Sequence, residues 1–423
     1  MKSNLLISLV ICLFSILTVS AKSDFTADGI EYTILSDREN CVEVAIGYSY
    51  KGDLVVPVKV ANEADGKEYT VVGIGVNAFS YTAGQLKSVA LPSTLEYIAD
   101  KAFRGARGLV SMEIPSGLQT IGESAFNGCT KLPAFTVAEG NKYFSAKDGV
   151  LFNKDQTKLL IYPMAKEGEE YTIPDGVTEL EKNAFENVTL LKKIVFDKDL
   201  TVIGDYAFNN CNNLKTLDFS ELNIKSLGVS AFHACKMLTE LDFSKSTFPS
   251  VGKSLFYNNN NLVKLWLPAT VTEFGEYAFN GLKSLEELHM QAEKPAQFTT
   301  VGSTFYPINN ELTTLYVPKG CKDAYAADPA YAGFFKDIVE EDITTGIHAA
   351  LSSAKAGITV SNGKIQFSST AKNIHIYNMS GNEVLRLPAA SVVNVSSLSK
   401  GVYVATAVVD GKSVSAKVCV GGF

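Results

Sequence analysis

Histidine and cysteine are scarce. Four His and seven Cys are spread over 423 residues, so few groups can shuttle protons or hold a metal. No C-x-x-C or H-E-x-x-H occurs, which leaves zinc without a visible cage. Positive charge is short as well. The 38 basic residues against 45 acidic ones give a formal net charge of −7, with no global field for wrapping a phosphate backbone. Nucleic acid is therefore not an expected partner, and no cofactor and no metal is called for. Long apolar runs are absent beyond the N-terminal segment, so no integral membrane span is expected. What remains is globular: 46% hydrophobic and 20% charged residues exclude disorder and collagen-like architectures.

The N-terminal segment reads as an address. Lys2 supplies a positive start, Leu5 to Val19 is an apolar run, and Val19-Ser20-Ala21 offers small residues before a cut. Residues 1–21 are expected to be a signal peptide, with a mature chain from Lys22.

A recurring phrase organises the chain beyond this segment: Ile74-Gly75-Val76-Asn77-Ala78-Phe79, Ile98-Ala99-Asp100-Lys101-Ala102-Phe103 and Ile121-Gly122-Glu123-Ser124-Ala125-Phe126. Later copies end at Phe185, Phe208, Phe232, Phe256 and Phe279, with intervals of 24, 23, 59, 23, 24, 24 and 23 from Phe79 onward. A 23–24-residue period is a solenoid coil. The long interval holds one regular coil plus an insertion, Tyr143 to Pro163, expected to carry a hairpin turning at Asp148-Gly149. Asp148, Asn153 and Asp155 lack the spacing of a calcium loop and read as turn chemistry. Each coil opens with a second phrase, such as Leu86-Lys87-Ser88-Val89-Ala90-Leu91-Pro92, Leu214-Lys215-Thr216-Leu217-Asp218-Phe219 or Leu262-Val263-Lys264-Leu265-Trp266-Leu267-Pro268. Alternation sends its apolar residues inward. A lone coil cannot bury that face, so neighbours must stack, with Ala-Phe filling the back of the same core.

These phrases closely resemble the BspA-type leucine-rich repeat proteins, a bacterial surface family with an Ile-Gly-x-x-Ala-Phe-x-x-Cys signature, over about residues 25 to 340. Asp28-Gly29-Ile30-Glu31-Tyr32 and Gly52-Asp53-Leu54-Val55-Val56-Pro57 are similar to that family's strand-rich N-terminal cap. Tyr325, Phe334, Phe335 and Ile338 look like its C-terminal cap. The departures are Leu180-Glu181 in place of Ile-Gly and the coil Val301 to Tyr306, which loses Ala-Phe.

After Glu340-Glu341-Asp342 the composition shifts to short Val/Ile/Ser/Ala strands, and a boundary belongs near Ile343 to Ala350. From Ala349 onward six Lys and one Arg face one Asp and one Glu, a net of +5. Alternation in Ile374 to Val384 and Leu398 to Val404 suggests a small antiparallel sandwich. The tail resembles the C-terminal sorting domain of Bacteroidetes type IX secretion cargo, through Gly401-Val402-Tyr403 and Lys417-Val418-Cys419-Val420. The Pro-Asn-Pro opening usual there is missing, and a plain accessory sandwich is the alternative. The expected fold is thus mainly β: a leucine-rich repeat solenoid of 23–24-residue coils with a strand-rich N-terminal cap and a small C-terminal antiparallel β-sandwich. The expected domains are 1–21 signal peptide, 22–70 cap, 71–342 solenoid with its C-terminal cap, and 343–423 sandwich.

Motifs of chemistry dissolve into this repeat. Gly73-Ile74-Gly75-Val76-Asn77-Ala78 matches a dinucleotide loop, but no β-α-β unit follows. Gly122-Glu123-Ser124-Ala125 and Gly228-Val229-Ser230-Ala231 imitate a nucleophile elbow, yet each runs into the structural Phe. Cys129, Cys211 and Cys235 recur three residues after the Phe and read as small buried fillers. A disulfide between Cys211 and Cys235 is the alternative in an exported chain.

The informative row is the outward one, the residue between the inward pair of each strand: Ala90, Glu113, Thr136, Val195, Asp218, Asp242, Trp266, His289 and Tyr316. Neighbouring coils bring such residues about 5 Å apart. Trp266, His289 and Tyr316 are therefore expected to form one stacked platform, flanked by Asp242, Lys264 and Glu287, with flat aromatic faces open to a sugar ring or a partner side chain. Aromatics stacking only for sheet stability is the plain alternative. The expected function is that of an exported, non-enzymatic adhesin or recognition protein. Its expected partners are an extracellular protein or glycan, and the secretion machinery through the tail. The family resemblance implies host matrix proteins, mucosal glycans or other bacteria as ligands. A structural scaffold of the cell envelope is the alternative.

Overall fold

The computed structural model describes residues 23–342, apart from 83, 301–303, 306–307, 309–310 and 332, and residues 358–420, apart from 362–363, 379–382, 396–397, 399–400 and 411. The expected signal peptide and the boundary near 343–350 lie outside them. The described chain falls into two compact units, one running to Asp155 and including Ile161–Glu167, the other comprising Gln156–Leu160 and the chain from Gly168. Among the described residues, helix is confined to Lys322–Ala327, and no helix is long and apolar enough to cross a membrane.

Each coil contributes to two parallel ladders. The first is the expected strand. In the first unit Met112–Ile114 pairs with Phe135–Val137. In the second, Glu170–Thr172, Lys193–Val195 and Thr216–Leu217 form one sheet, and Glu240–Asp242, Lys264–Leu267, Glu287–Met290 and Thr314–Pro318 another, closed by Asp337–Glu341. The other ladder uses two-residue strands that take in the Ile of the signature. Tyr97–Ile98 pairs with Thr120–Ile121, and Glu179–Leu180, Val202–Ile203 and Ser226–Leu227 follow one another. Leu180, where the signature lapses, is fully buried at the Ile place.

The core between the ladders follows the signature. Ala78, Ala102, Ala184, Ala207, Ala231 and Ala278 and the Phe after each are at most 1% exposed. Phe79, Phe103 and Phe126 stack with centroids 4.7 and 5.0 Å apart, and Phe185, Phe208, Phe232, Phe256, Phe279 and Phe305 continue the same arrangement in the second unit at 5.1 to 6.0 Å. The expectation that the coil around Val301 to Tyr306 loses Ala-Phe is corrected by Thr304 and Phe305. Both are 1% exposed, and Phe279 N–H donates to the Thr304 carbonyl as Phe256 N–H donates to that of Ala278. Thr is small enough to replace Ala there.

Close approach of coils explains the glycine of the signature. A Cβ on Gly122, Gly204, Gly228 or Gly275 would come within 2.2 to 2.6 Å of backbone in the preceding coil. The two glycines of the dinucleotide-like motif are packing residues as well. A Cβ on Gly73 would enter the Tyr97 ring, and one on Gly75 the Glu43 carboxylate. The Tyr97 hydroxyl donates to Glu43 at 2.7 Å, and burial pushes the Glu43 carboxyl above its ordinary range.

The recurring cysteines are free, buried thiols. Cys129, Cys211 and Cys235 donate from Sγ to the carbonyls of Phe103, Phe185 and Phe208 in the preceding coils, at 3.0 to 3.3 Å. Asn259, at the same place one coil on, donates to the Phe232 carbonyl at 2.8 Å. The position therefore wants a small donor rather than a mere filler.

The ends are covered. The N-terminal cap joins hairpins such as Phe25–Ala27 with Ile30–Ile34 to the parallel pair Cys41–Val44 and Lys67–Ile74. In the C-terminal cap Tyr325 and Tyr331 are at most 1% exposed and donate to the carbonyls of Ala292 and Ala296 at 2.8 and 3.1 Å. In the insertion, Phe144–Lys147 and Val150–Asn153 form the expected hairpin, with φ of 51° at Asp148 and 77° at Gly149.

The tail is antiparallel, as expected, and its strands form one bonded sheet that includes Ile358–Ser361, Lys364–Asn378, Glu383–Asn394, Gly401–Val409 and Lys412–Val420. Along Lys364–Asn378 the inward residues change parity, from Ile365, Phe367 and Ala371 to Ile374 and Ile376. The switch falls at Asn373, whose φ is 50°, and the bulge lets one strand serve a single core with Val393, Val395, Tyr403, Ala405 and Ala407.

Candidate functional site

The outward row is in register. Asp242 pairs with Trp266, Trp266 with His289 and His289 with Tyr316. Two positions earlier on the same strands, and so on the same face, Glu240, Lys264 and Glu287 pair in turn. A constant coil length places equivalent residues side by side, so all six candidates come together. Trp266 and His289 stack at 4.6 Å and 13°, and His289 and Tyr316 at 4.4 Å and 9°.

The platform is not open, which corrects the expectation of exposed aromatic faces. Trp266 is 6% and His289 5% exposed, and Tyr316 is half-buried. Rings stacked along the coil direction spend their faces on one another. Sugar stacking needs a free face, and the inner rings of this row have none to offer. The exposed part of the row lies elsewhere, at Ala90, Glu113 and Thr136 in the first unit and at Asp218 in the second.

The polar flank is preordered. Lys264 Nζ lies 2.9 Å from Glu287 Oε1. Burial raises the Glu287 carboxyl, but hydrogen bonds from Lys264 and His289 outweigh it and hold the group below its ordinary range. The Lys264 ammonium is held up by its bond to Glu287. Burial, with Glu287 and Glu341 near, raises the Tyr316 phenol. Glu240 is raised by burial and by its carboxylate neighbours, against the pull of Lys264. Asp242 accepts from Ser244 N–H at 2.8 Å, and Asp218 from Ser220 N–H at 3.0 Å. Both aspartates thus also close the turns that end their strands.

Glu341 was missed by sequence reasoning. Both its oxygens lie 2.9 Å from His289 Nδ1, while Glu287 Oε2 lies 3.2 Å from Nε2. Glu341 ends the cap strand, whose Val339 pairs with Tyr316 and extends the row. Ile338 was expected in the C-terminal cap, but Asp337-Ile338-Val339-Glu340-Glu341 shows no alternation that would mark a strand and single out Glu341.

Fold and row define a leucine-rich repeat solenoid that presents a preordered sheet face. A family model described as "BspA type Leucine rich repeat region" matches in six copies over residues 70–156, 164–286 and 223–326. The chain belongs to the BspA-type leucine-rich repeat family. A second model, "Secretion system C-terminal sorting domain", matches residues 357–421. This type IX sorting domain marks the chain for export, to the cell surface or beyond it. No curated protein matches. Among solved structures, the chain is similar to the pneumococcal vaccine antigen PcpA, at 22% identity over 75% of this chain and 98% of that one, with a TM-score of 0.44. It is also similar to a leucine-rich cell surface protein of Faecalibacterium prausnitzii, at 19% identity over 68% and 97%, TM-score 0.45. A leucine-rich repeat protein of Bacteroides ovatus matches at 18% identity over 76% and 100%, TM-score 0.29.

Proposed function

We propose that the chain is a non-enzymatic adhesin or recognition protein that binds an extracellular protein or glycan through the outward face of its solenoid sheet. The observation that carries this reading is the in-register row of the second unit. Its polar groups are already held, Lys264 and Glu287 by one another across strands and Asp242 by the turn that follows it, so little side-chain entropy remains to be lost on binding. Tyr316 and the carboxylates of Asp218 and Asp242 are the contact groups in this reading, and Trp266 and His289 form a rigid backing behind them. A broad parallel sheet suits an extended partner surface better than a closed reaction pocket.

The test is a titration of the mature chain, residues 22–423, against immobilised matrix proteins and a glycan panel. Asp218→Lys with Tyr316→Ala should weaken the selected ligand by about tenfold or more, as loss of one interface anchor does, with unchanged circular dichroism. Equal binding by the double variant would reject the sheet face. Absence of any ligand, together with stoichiometric co-purification with an envelope protein, would replace the adhesin by a scaffold.

A further inference from the structure

The turns that follow Ala-Phe form a ridge beside the sheet, and in the first unit that ridge is basic and aromatic. No acidic residue stands between Glu68 and Glu96 or between Asp100 and Glu113. The turns after Phe79 and Phe103 therefore carry Lys101, Arg104 and Arg107 with no carboxylate of their own. All three are exposed. Among the described residues none of them has an ion-pair partner of the kind that Arg38 has in Glu96 and Lys59 in Glu68. Lysines of the second unit are paired across neighbouring coils, as Lys193 is with Glu170 at 2.9 Å and Lys253 with Glu276 at 2.6 Å. A chain of net charge −7 thus keeps a local positive patch open to an outside anion.

Two exposed rings stand beside the cations. Tyr48 is 72% and Tyr81 53% exposed, and their centroids lie 5.2 Å apart at 33°. The pair leaves most of its apolar surface in water, which marks a contact site rather than a core. Its placement is fixed from below. Tyr50, on the same cap loop as Tyr48, is 3% exposed and packs on Phe79 at 5.1 Å. Gly47 N–H donates to the Ala78 carbonyl at 3.1 Å, and a Cβ on Gly47 would enter the Tyr50 ring at 2.1 Å. The loop is pinned by the buried ring, and Tyr48 is left outside.

Backbone contacts between coils bring rings and cations together. Ser80 Oγ donates to the Lys101 carbonyl at 2.6 Å, and a Cβ on Gly84 would lie 3.9 Å from Arg107 Cβ. Tyr81, between Ser80 and Gly84, therefore lies alongside the stretch from Lys101 to Arg107 one coil on, a step of about 5 Å. The carboxylates Asp100 and Glu123 stand before the turns, where Asp100 accepts from Glu123 N–H at 2.7 Å.

We infer that this ridge is a second binding site, for a polysaccharide bearing carboxylate or sulfate groups. The guanidinium forks of Arg104 and Arg107 take its oxyanions through paired N–H donors, and Lys101 adds a point charge. The tyrosine rings take the flat apolar face of a sugar. A long phosphate polymer fits less well, because the patch spans few coils and the surplus acidity of the chain repels the rest of it. The site does not rest on the sheet-face reading, whose Asp218 and Asp242 would repel the same ligand.

The experiment measures binding of the full chain to immobilised heparin, polygalacturonate and dextran at about 0.15 M salt, with a single-stranded oligonucleotide as a fourth surface. Heparin and polygalacturonate separate sulfate from carboxylate as the anion recognised. At least one of them should bind, and dextran should not. Arg104→Ser with Arg107→Ser should weaken that binding about tenfold or more, as loss of charge-assisted hydrogen bonds does. Tyr48→Ser with Tyr81→Ser should weaken it about fivefold. Lys215→Ser with Lys225→Ser removes the same charge from exposed lysines of the second unit and should leave it unchanged, as should Asp218→Lys with Tyr316→Ala. All the ridge side chains replaced are exposed, so circular dichroism should match the parent. Failure of both acidic polymers to bind, equal weakening by the Lys215 and Lys225 pair, or full binding without the tyrosines would each overturn the inference. Tighter binding of the oligonucleotide than of either polysaccharide, lost with the arginines, would overturn it in favour of a phosphate polymer.

Discussion

Glycine carries the closest tolerances between coils. A Cβ on Gly228 would lie 2.2 Å from Asp205 N and 2.4 Å from Gly204 C, whereas at Gly252 the nearest atoms are 3.9 Å away. Rigid backbone cannot yield as a side-chain tip can. Gly228→Ala is therefore expected to destabilise the protein by about 1–3 kcal/mol, the usual cost of overpacking, while Gly252→Ala should be neutral or slightly stabilising through the unfolded chain. Urea unfolding of the two variants checks this, and equal midpoints would contradict the packing account. The same signature holds a residue in the left-handed region whatever its type, from Asn77 and Ser124 to Tyr206 and Tyr277, with φ between 54° and 59°. The fold imposes this conformation against the intrinsic preference of a tyrosine.

At the level of the repeated element, stability is carried by neighbours. Phe208 is fully buried and stacks on Phe185 at 5.4 Å and Phe232 at 5.3 Å. Phe208→Ala should cost about 3–5 kcal/mol in its own region. In a solenoid that cost is felt mainly by adjoining coils, so amide protection should fall around residues 185–232 and stay near the parent level around 265–290. Uniform loss of protection along the chain would mean that the unit unfolds as one cooperative block. The Ala-Phe element was legible because it recurs at fixed spacing. The second ladder was not, since two residues such as Val202–Ile203 are too short to show alternation. The Thr304-Phe305 version was missed because one substitution hid the pair.

For the whole molecule, the single tryptophan reports on the candidate face. With Trp266 6% exposed, the emission of the native protein is expected to be blue and resistant to acrylamide. Unfolding should shift it red by tens of nanometres, as full exposure of an indole to water does. A red, quenchable native emission would contradict the closed stack. The family match and the sorting domain together describe an exported repeat protein, and its recognition chemistry is proposed for the sheet face.

Sequence alone determined the coil period, the Ala-Phe core and the membership of the outward row, because adjacency in a solenoid follows from counting residues at constant spacing. Only the tertiary structure decided whether that row is open. The stack closes because rings in register cover one another's faces. The cap strand then brings Glu341 to His289 across 52 positions of sequence. That contact comes from a segment outside the repeat, where no periodicity exists to be read and position is set by the packing of the cap.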